Sequence, residues 1–327
     1  MTSAPVPTEC HILTQNYPQV RKLAISSRED GQRVDNFLIK QLSGVPKSHI
    51  YQLLRSGQVR VNGGRVKPER KLAVGDEVRV PPVRAPEKGE AVRPPDALLE
   101  RLRDAIVHED EHYLALSKPS GLPAHAGSGA PYGVIEVARA WGRHDFLELC
   151  HRLDRDTSGV LLLAKTRPAL LRAQRAFKHG EADKRYFALL VGRWRGEDRD
   201  VDAALLRNLN VAGERRVRVD EEEGKPSKSR FSPKARYRNA TLCEVRIFSG
   251  RTHQIRVHAA ALGCPVAGDD KYGEREDNRR LRDFGLKRMF LHSHFLALPA
   301  AGEFPKLLLN APLPDELREV LDRLQRG

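Results

Sequence analysis

The sequence lacks the patterns that mark several common classes of protein. Its four cysteines, Cys10, Cys150, Cys243 and Cys264, include no CxxC pair, so neither a zinc ribbon nor a disulfide scaffold is indicated. No stretch approaches the roughly 18 apolar residues of a membrane-spanning helix. The opening MTSAPVPTEC has neither the basic start nor the apolar centre of a secretory signal. We therefore expect a cytoplasmic protein that does not engage a membrane.

Motifs for the common cofactors are missing as well. The chain contains no dinucleotide fingerprint, no Walker loop and no cluster of metal ligands at a typical spacing. His253 and His258 lie five positions apart, whereas zinc-binding helices place two histidines four apart. These absences lead us to expect no metal site and no cofactor.

The chain carries a large excess of basic residues. Its 327 residues include 57 Lys and Arg against 43 Asp and Glu, a formal net charge of +14, and 40% are hydrophobic. The hydrophobic share indicates a folded globular protein. The basic excess suits a polyanionic partner, because neutralising phosphates releases their counterions; a solvated basic surface is the alternative. Between Arg21 and Arg84 there are 14 basic and 6 acidic residues, so more than half of the excess lies there.

The basic segment has the pattern of a small domain with two helices and a small sheet. Apolar residues at helical spacing predict a first helix from Val34 to Leu42, and Ser48 to Leu54 predict a second that ends near Gly57. Strands are predicted at 59–61 and 76–80.

Residues 33–80 resemble an S4-type RNA-binding domain, in their short basic helices and in the Gly-Asp that precedes the last strand. We expect five basic side chains to contact RNA phosphates, namely Lys47, Arg55, Arg60, Arg65 and Lys67. Taken singly, each would be an ordinary surface charge. Phosphate contacts would position the RNA without reading its sequence.

A stretch rich in proline and charge separates this domain from the rest of the chain. We expect four parts: a flexible N-terminus at 1–20, the S4-like domain at 21–82, a semi-rigid linker at 83–104 and a larger domain at 105–327. In the larger domain, residues 106–116 and 186–191 predict strands, and 133–141 and 168–179 predict helices. The expected fold class of the chain is therefore α+β.

A loop between two predicted strands holds the strongest candidates for a catalytic residue. Residues 146–149 and 160–164 predict the strands, and the turn between them contains Asp154 and Asp156. An ionised aspartate held on a rigid base is a serviceable nucleophile. Loop aspartates also commonly accept backbone N–H bonds. The residue pattern alone does not choose between Asp154 and Asp156.

A second polar segment, SGRTHQIRVHAAALG at 249–263, predicts a short helix. Thr252 is the expected N-cap, the apolar residues at 255, 259 and 262 share one helical face, and Gly263 stands where a helix ends. Arg251 would then lie just before the helix, where its planar guanidinium can fix the direction of a carboxylate.

Three segments together resemble the RluA-type pseudouridine synthases, the family that modifies large-subunit ribosomal RNA and transfer RNA. They are HRLDRDTSG at 151–159, KRYFALLVG at 184–192 and GRTHQIRVH at 250–258. The resemblance implies a catalytic domain with a mixed, largely antiparallel sheet. It makes Asp154 the catalytic residue and Arg251 its ion-pair partner. It also implies that Tyr186 stacks on the target uracil and that Arg152 fills the RNA stack that the flipped base leaves.

The reaction implied by the resemblance is the isomerisation of uridine to pseudouridine, which needs no cofactor. The uracil exchanges its bond from N1 to the ribose for a bond from C5. Asp154 could add to C6 of the base, attack C1′ of the ribose or abstract a ribose proton, and the sequence leaves these routes open. The S4-like domain favours 23S ribosomal RNA as the partner; a transfer RNA substrate and a noncatalytic RNA-binding assembly factor are the alternatives. We expect a monomer, because the RNA supplies the large partner surface.

Overall fold

The computed structural model describes residues 19–27, 29–42, 45–83, 93–127, 130–209 and 215–326. The chain divides into two units, Met1–Val92 and Arg93–Gly327. Most of the N-terminal part expected to be flexible, 1–20, lies outside the described residues. No helix within the described ranges is long and apolar enough to cross a membrane.

The first unit combines a four-stranded antiparallel sheet with two helices. Its elements are β1 (Arg21–Ala24), α1 (Val34–Gln41), α2 (Lys47–Arg55), β2 (Arg60–Val61), β3 (Gly64–Arg65) and β4 (Glu77–Val80), and the strand order is β1-β4-β2-β3. Phe37 and Leu38 of α1 share one buried core with Ile50 and Leu54 of α2 and with Val78 of the sheet. The predicted two helices and small sheet are confirmed.

The second unit is built around one large sheet. Its elements are α3 (Asp96–Arg103), β5 (Ile106–Glu109), β6 (Tyr113–Lys118), α4 (Val134–Arg139), β7 (Glu148–Leu149), β8 (Ser158–Ala164), α5 (Arg167–His179), β9 (Asp183–Val191), β10 (Arg199–Asp202), β11 (Leu205–Leu209), β12 (Arg215–Val219), β13 (Lys228–Arg236), β14 (Ala240–Ile247), α6 (Gln254–Ala261), α7 (Arg275–Asp283), β15 (Leu291–Leu298), β16 (Leu307–Asn310) and α8 (Asp315–Arg326).

Ten of these strands form the large sheet, in the order β10-β13-β14-β9-β15-β8-β6-β5, with β16 on β15 and β7 on β8. Among the described strands of this sheet, β8 and β15 are the one parallel pair, and the other neighbours are antiparallel. The expected mixed, largely antiparallel sheet and the α+β class are confirmed.

The stretch expected to be a linker, 83–104, contains a helix instead over its last part. Residues 96–103 form α3, and Leu99 and Leu102 are buried in the core of the second unit. Trp141 Nε1 donates a hydrogen bond to the Leu99 carbonyl at 3.2 Å. The prolines that suggested a linker stand before the helix, where Pro95 is the N-cap residue and its missing N–H costs nothing.

Strand β8 is buried along its whole length. Because successive side chains of a strand point to opposite faces, Leu161 and Leu163 enter one hydrophobic core and Val160 and Leu162 enter the other. A strand that is covered on both faces is held rigidly. The loop that carries Asp154 leads directly into it.

Strand β15 lies between β8 and β9 and pairs with both of them at His292 and Ser293. Ser293 is in register with Gly159 of β8 on one side and with Tyr186 of β9 on the other. Gly159 has a φ of +109°, and a Cβ there would overlap the carbonyl oxygen of Ser293. The close approach of these two backbones therefore requires glycine.

His292, next to Ser293, is a fully buried residue that ties this junction to its surroundings. Ser158 Oγ lies 2.9 Å from His292 Nδ1, and His292 Nε2 lies 3.2 Å from the Ala311 carbonyl oxygen. Burial lowers the pKa of His292 to about 4. The ring is therefore neutral, with Nε2 donating to Ala311 and Nδ1 accepting from the Ser158 hydroxyl.

We expect Gly159→Ala to lower the free energy of unfolding by at least about 2 kcal/mol, because the new Cβ meets both an unfavourable φ and the Ser293 backbone. Gly142→Ala is the matched control: Gly142 also has a positive φ, +64°, but nothing lies within 4 Å of a Cβ there. Urea unfolding of both variants provides the measurement. Equal losses would show that the close approach of β8 and β15 imposes no constraint of its own.

Candidate active site

Asp154 lies on the wall of a small cavity that is also lined by residues of the strands β9, β14 and β15. The cavity has a volume of about 80 Å³ and is lined by Arg152, Leu153, Asp154, Thr157, Tyr186, Ile247, Gly250, Arg251, His253, Gln254, Ile255, Arg256 and Leu291. The predicted residues Asp154, Arg251, Tyr186 and Arg152 are thus brought together. Asp156 is exposed and lines a separate, neighbouring cavity. The two aspartates that the sequence left as rivals therefore have different surroundings.

His151 anchors the Asp154 loop to β8. Its Nε2 accepts a hydrogen bond from the backbone N–H of Leu162 at 3.0 Å, and its ring packs against Phe177 with centroids 5.0 Å apart. Burial is the main reason that the pKa of His151 falls to about 3. A neutral imidazole is required for this contact, because only an unprotonated nitrogen can accept the bond.

Lys118 fastens the other side of the loop. The residue is fully buried, and its Nζ donates to the carbonyl oxygens of Pro119 at 2.9 Å, Leu122 at 2.7 Å and Arg155 at 3.0 Å. Burial lowers the pKa of Lys118 to about 7, against the opposing effect of Asp156 and Asp154. One side chain thus binds the loop after β6 to the loop before β8.

The start of α6 contributes an arginine and a histidine that lie close to Asp154. Asp154 Oδ2 lies 3.9 Å from Arg256 Nη1 and 3.9 Å from His253 Nε2. Arg256 in turn makes a bidentate pair with the buried Asp269, at 2.6 Å from Nε and 2.7 Å from Nη2. Burial opposes the charge on Arg256, but its pairing with Asp269 outweighs that effect and raises the pKa of Arg256. Arg256 is therefore a fixed positive charge beside Asp154.

The predicted ion pair between Asp154 and Arg251 is not formed within the described residues. Arg251 is exposed, and its Nε donates to the Pro226 carbonyl oxygen at 3.3 Å. The helix α6 begins at Gln254, one residue later than predicted, and His253 is its N-cap residue at a φ of +55°. Thr252 is not the N-cap that the sequence predicted. The Gln254 side chain instead accepts the N–H of Arg251 at 3.1 Å.

Tyr186 in β9 is buried except for the part that lines the cavity. Burial raises the pKa of Tyr186 above its ordinary value, although a hydrogen bond with Ser293 opposes the rise. The hydroxyl is therefore protonated and held by the neighbouring strand. An aromatic ring in this position can offer a surface to a planar base.

His253, Arg256, Asp269 and Tyr272 are the site residues that sequence reasoning missed. His253 Nδ1 lies 2.8 Å from the Tyr272 hydroxyl, and the Arg256 guanidinium lies 5.0 Å from the Tyr272 ring centroid. Burial lowers the pKa of His253, against the opposing effect of Asp154. The spacing of three between His253 and Arg256 was a usable signal, because such residues share one side of a helix.

The remaining predicted contacts are basic side chains on the surface. Arg152 is exposed, lines the cavity and forms no ion pair with any described residue. In the first unit, Arg55, Arg60, Arg65 and Lys67 are exposed, whereas the side chain of Lys47 lies outside the description. Over the described ranges, no group of three or more His, Cys, Asp or Glu side chains is placed to hold a metal ion.

Comparison with known protein families gives matches to two family descriptions. Residues 112–261 match RNA pseudouridylate synthase, and residues 32–78 match the S4 domain. The first range includes every residue that lines the Asp154 cavity except Leu291, and the second includes α1, α2, β2, β3 and the start of β4.

Curated relatives match over nearly the whole chain. Ribosomal large subunit pseudouridine synthase C of Escherichia coli (strain K12) is 49% identical over 314 residues, which cover 95% of this chain and 98% of the relative. The protein of the same name from Haemophilus influenzae is 46% identical over 312 residues, 94% of this chain and 96% of the relative.

Two solved structures show a similar fold. Human RNA Pseudouridylate Synthase Domain Containing 4 has a TM-score of 0.59, and Human RNA Pseudouridylate Synthase Domain Containing 1 has a TM-score of 0.54. Each is 26% identical and covers 70% of this chain and 96% of its own.

We expect Asp269→Asn to cost about 3–5 kcal/mol in unfolding free energy, because it leaves the buried guanidinium of Arg256 without its bidentate partner. Asp154→Asn is the matched control, since it removes a carboxylate 3.9 Å from the same arginine but one that is partly exposed. Its effect should stay within about 1 kcal/mol. Similar losses in chemical denaturation would mean that Asp269 does not anchor Arg256.

Proposed function

The chain belongs to the RluA-type RNA pseudouridylate synthases and is therefore an isomerase that acts on RNA; from this we propose that it converts uridines of 23S ribosomal RNA to pseudouridine, with Asp154 as the catalytic carboxylate. The observation that carries the proposal is the cavity that Asp154 shares with Tyr186 and Arg251. The relatives named above as large-subunit synthases support the choice of RNA.

A carboxylate such as Asp154 can begin the reaction by any of three chemical routes. In the reaction the bond from ribose C1′ to N1 breaks, a bond from C1′ to C5 forms, C5 loses a proton and N1 gains one, so atoms balance and no electrons are gained or lost. A carboxylate can begin this sequence at C6, at C1′ or at a ribose proton. In all three cases it must be fixed in direction, which the rigid strand β8 and the nearby charge of Arg256 both favour.

Tyr186 is proposed to bind the uracil and Arg152 to replace it in the RNA. A base that stacks on an aromatic ring gains roughly 1–3 kcal/mol, which offsets part of the few kcal/mol needed to remove it from its stack. This role for Arg152 is supported by two observations: its side chain is exposed, and it forms no ion pair with any described residue. A planar guanidinium can occupy the space between two bases.

Arg251 is proposed as the partner of Asp154 once RNA is bound. Its guanidinium has one hydrogen bond to a described residue, the 3.3 Å contact with the Pro226 carbonyl. A carboxylate is the stronger acceptor for a guanidinium, and Arg251 already lines the Asp154 cavity. Rotation of one exposed side chain would be sufficient.

The first unit is proposed to hold the ribosomal RNA through phosphate contacts. Arg55, Arg60, Arg65 and Lys67 are exposed, and Lys47 stays part of the proposed set. Such contacts make affinity fall as the salt concentration rises. We also propose that the protein acts as a cytoplasmic monomer.

Asp154→Asn should abolish turnover, with a loss of at least about 10³-fold, because the substitution removes the reacting carboxylate and preserves its shape. The measurement is tritium release from ribosomal RNA labelled at uridine C5 and taken from cells that lack the gene. Asp156→Asn is the control and should remain close to wild type, because Asp156 does not line the Asp154 cavity. Loss of release in Asp156→Asn with normal release in Asp154→Asn would reverse the assignment.

The same assay decides the substrate. Release from ribosomal RNA, followed by mapping of the modified positions, would support the proposal. If wild-type protein releases tritium from transfer RNA and not from ribosomal RNA, the substrate assignment is wrong. Binding of ribosomal RNA without release from either RNA would favour a noncatalytic assembly factor.

Arg251→Ala should lower kcat/KM on ribosomal RNA on the order of tenfold or more, because it removes a charge-assisted hydrogen bond to Asp154. Arg251→Lys keeps the charge and should recover part of the rate. Steady-state kinetics of both variants supply the comparison. Wild-type kinetics in Arg251→Ala would leave Arg256 as the partner of Asp154.

A further inference from the structure

A further cavity, distinct from the one that Asp156 lines, has a volume of about 660 Å³ and adjoins the Asp154 cavity. It is lined by residues 150–152, by the end of α5 at 177–180, by Lys184 in β9, and by residues 247–251, which begin with the last residue of β14. We call it the flanking groove. It shares Arg152, Tyr186 and Arg251 with the Asp154 cavity, so the two cavities are adjacent.

The flanking groove is positively charged and contains no carboxylate. Arg152, Lys178, Lys184 and Arg251 line it, and no Asp or Glu does. None of these four side chains forms an ion pair with a described residue. Elsewhere on the same sheet, basic side chains are paired, as Arg185 is with Asp183 at 2.7 Å. Unpaired cations facing one groove indicate an anionic ligand.

Lys184 gives the groove a buried charge. The residue is buried, and its Nζ donates to the Ser249 carbonyl oxygen at 2.7 Å. Burial and the nearby Arg251 lower the pKa of Lys184 to about 8. An anion beside Lys184 would stabilise its charged form.

The rim of the groove carries an exposed aromatic ring. Phe248 is 37% exposed, and the other nine phenylalanines of the chain are less so. Its N–H donates to the Lys228 carbonyl oxygen at 3.0 Å, and the Arg246 guanidinium lies 5.1 Å from the ring centroid. Arg246 is itself paired with Asp183 at 2.9 Å. The ring is therefore held in place while part of its surface faces water.

We propose that the flanking groove binds the nucleotide next to the target uridine, with its base stacked on Phe248 and its phosphate bound by Lys178 and Lys184. An aromatic surface beside unpaired cations is the arrangement by which proteins bind single-stranded nucleic acid. The proposal rests on the proposed function for the identity of the target. It adds a contact to a neighbouring nucleotide, which a cavity of about 80 Å³ around Asp154 does not accommodate.

The test uses full-length Asp154→Asn protein, so that binding is measured without turnover. The probe is a single-stranded oligouridine that carries one 2-aminopurine, whose fluorescence falls when it stacks on an aromatic ring. Adding Phe248→Ala should weaken binding roughly 5- to 150-fold, the value of one stacked base, and should reduce the quenching. Phe248→Trp should restore both. Leu171→Ala, which truncates another exposed apolar residue, at 55% exposure on α5, should leave both unchanged.

Salt dependence separates the stacking contact from the phosphate contacts. Lys178→Gln should reduce the slope of log affinity against log salt by about 0.7, whereas Phe248→Ala should leave the slope unchanged. Equal binding and quenching by Phe248→Ala and Leu171→Ala would overturn the proposal. Because the readout does not need catalysis, Phe248-dependent binding combined with absent tritium release by wild type would reject the proposed function and not the groove.

Discussion

The close parallel contact between β8 and β15 is the constraint on which the rest of the second unit depends. Ser293 lies between Gly159 and Tyr186 in the sheet, so the pairing of β15 with both neighbours sets the distance between the strand that begins after Asp154 and the strand that carries Tyr186. Glycine is needed at 159 because any side chain would enter the Ser293 backbone. The buried hydrogen bonds of His292 hold the same junction from the neighbouring position. The geometry of the site is therefore a property of the sheet and not of the loops alone.

Charges around the site fall into two groups that differ in their partners. Arg256 and Lys118 are buried and satisfied by the protein itself, Arg256 by the Asp269 carboxylate and Lys118 by three backbone carbonyls. Arg152 and Lys178 are exposed and have no ion pair among the described residues. The first group holds Asp154 and its loop in place, because removing a partner from a buried charge is costly. The second group is left for an external anion, and a nucleic acid supplies one at every nucleotide.

Features carried by consecutive residues were predictable from the sequence, and those that depend on distant partners were not. The apolar run of β8 and the helical spacing of Val34, Phe37 and Leu38 predicted their elements because periodicity is local. The pair between Arg256 and Asp269 and the contact of Arg251 with Pro226 join residues far apart in sequence, and no local pattern encodes such a choice of partner. The helix at 96–103 was mistaken for a linker because its prolines lie at its start, where composition cannot separate a helix N-terminus from a loop.

The place of β15 in the chain has a consequence for biosynthesis. The first unit ends at Val92, and domains generally fold as units during synthesis, with the N-terminal one first. The strand that spaces Asp154 from Tyr186 begins only at Leu291. A nascent chain thus completes its S4 domain long before it makes the strand on which the geometry of the Asp154 cavity depends.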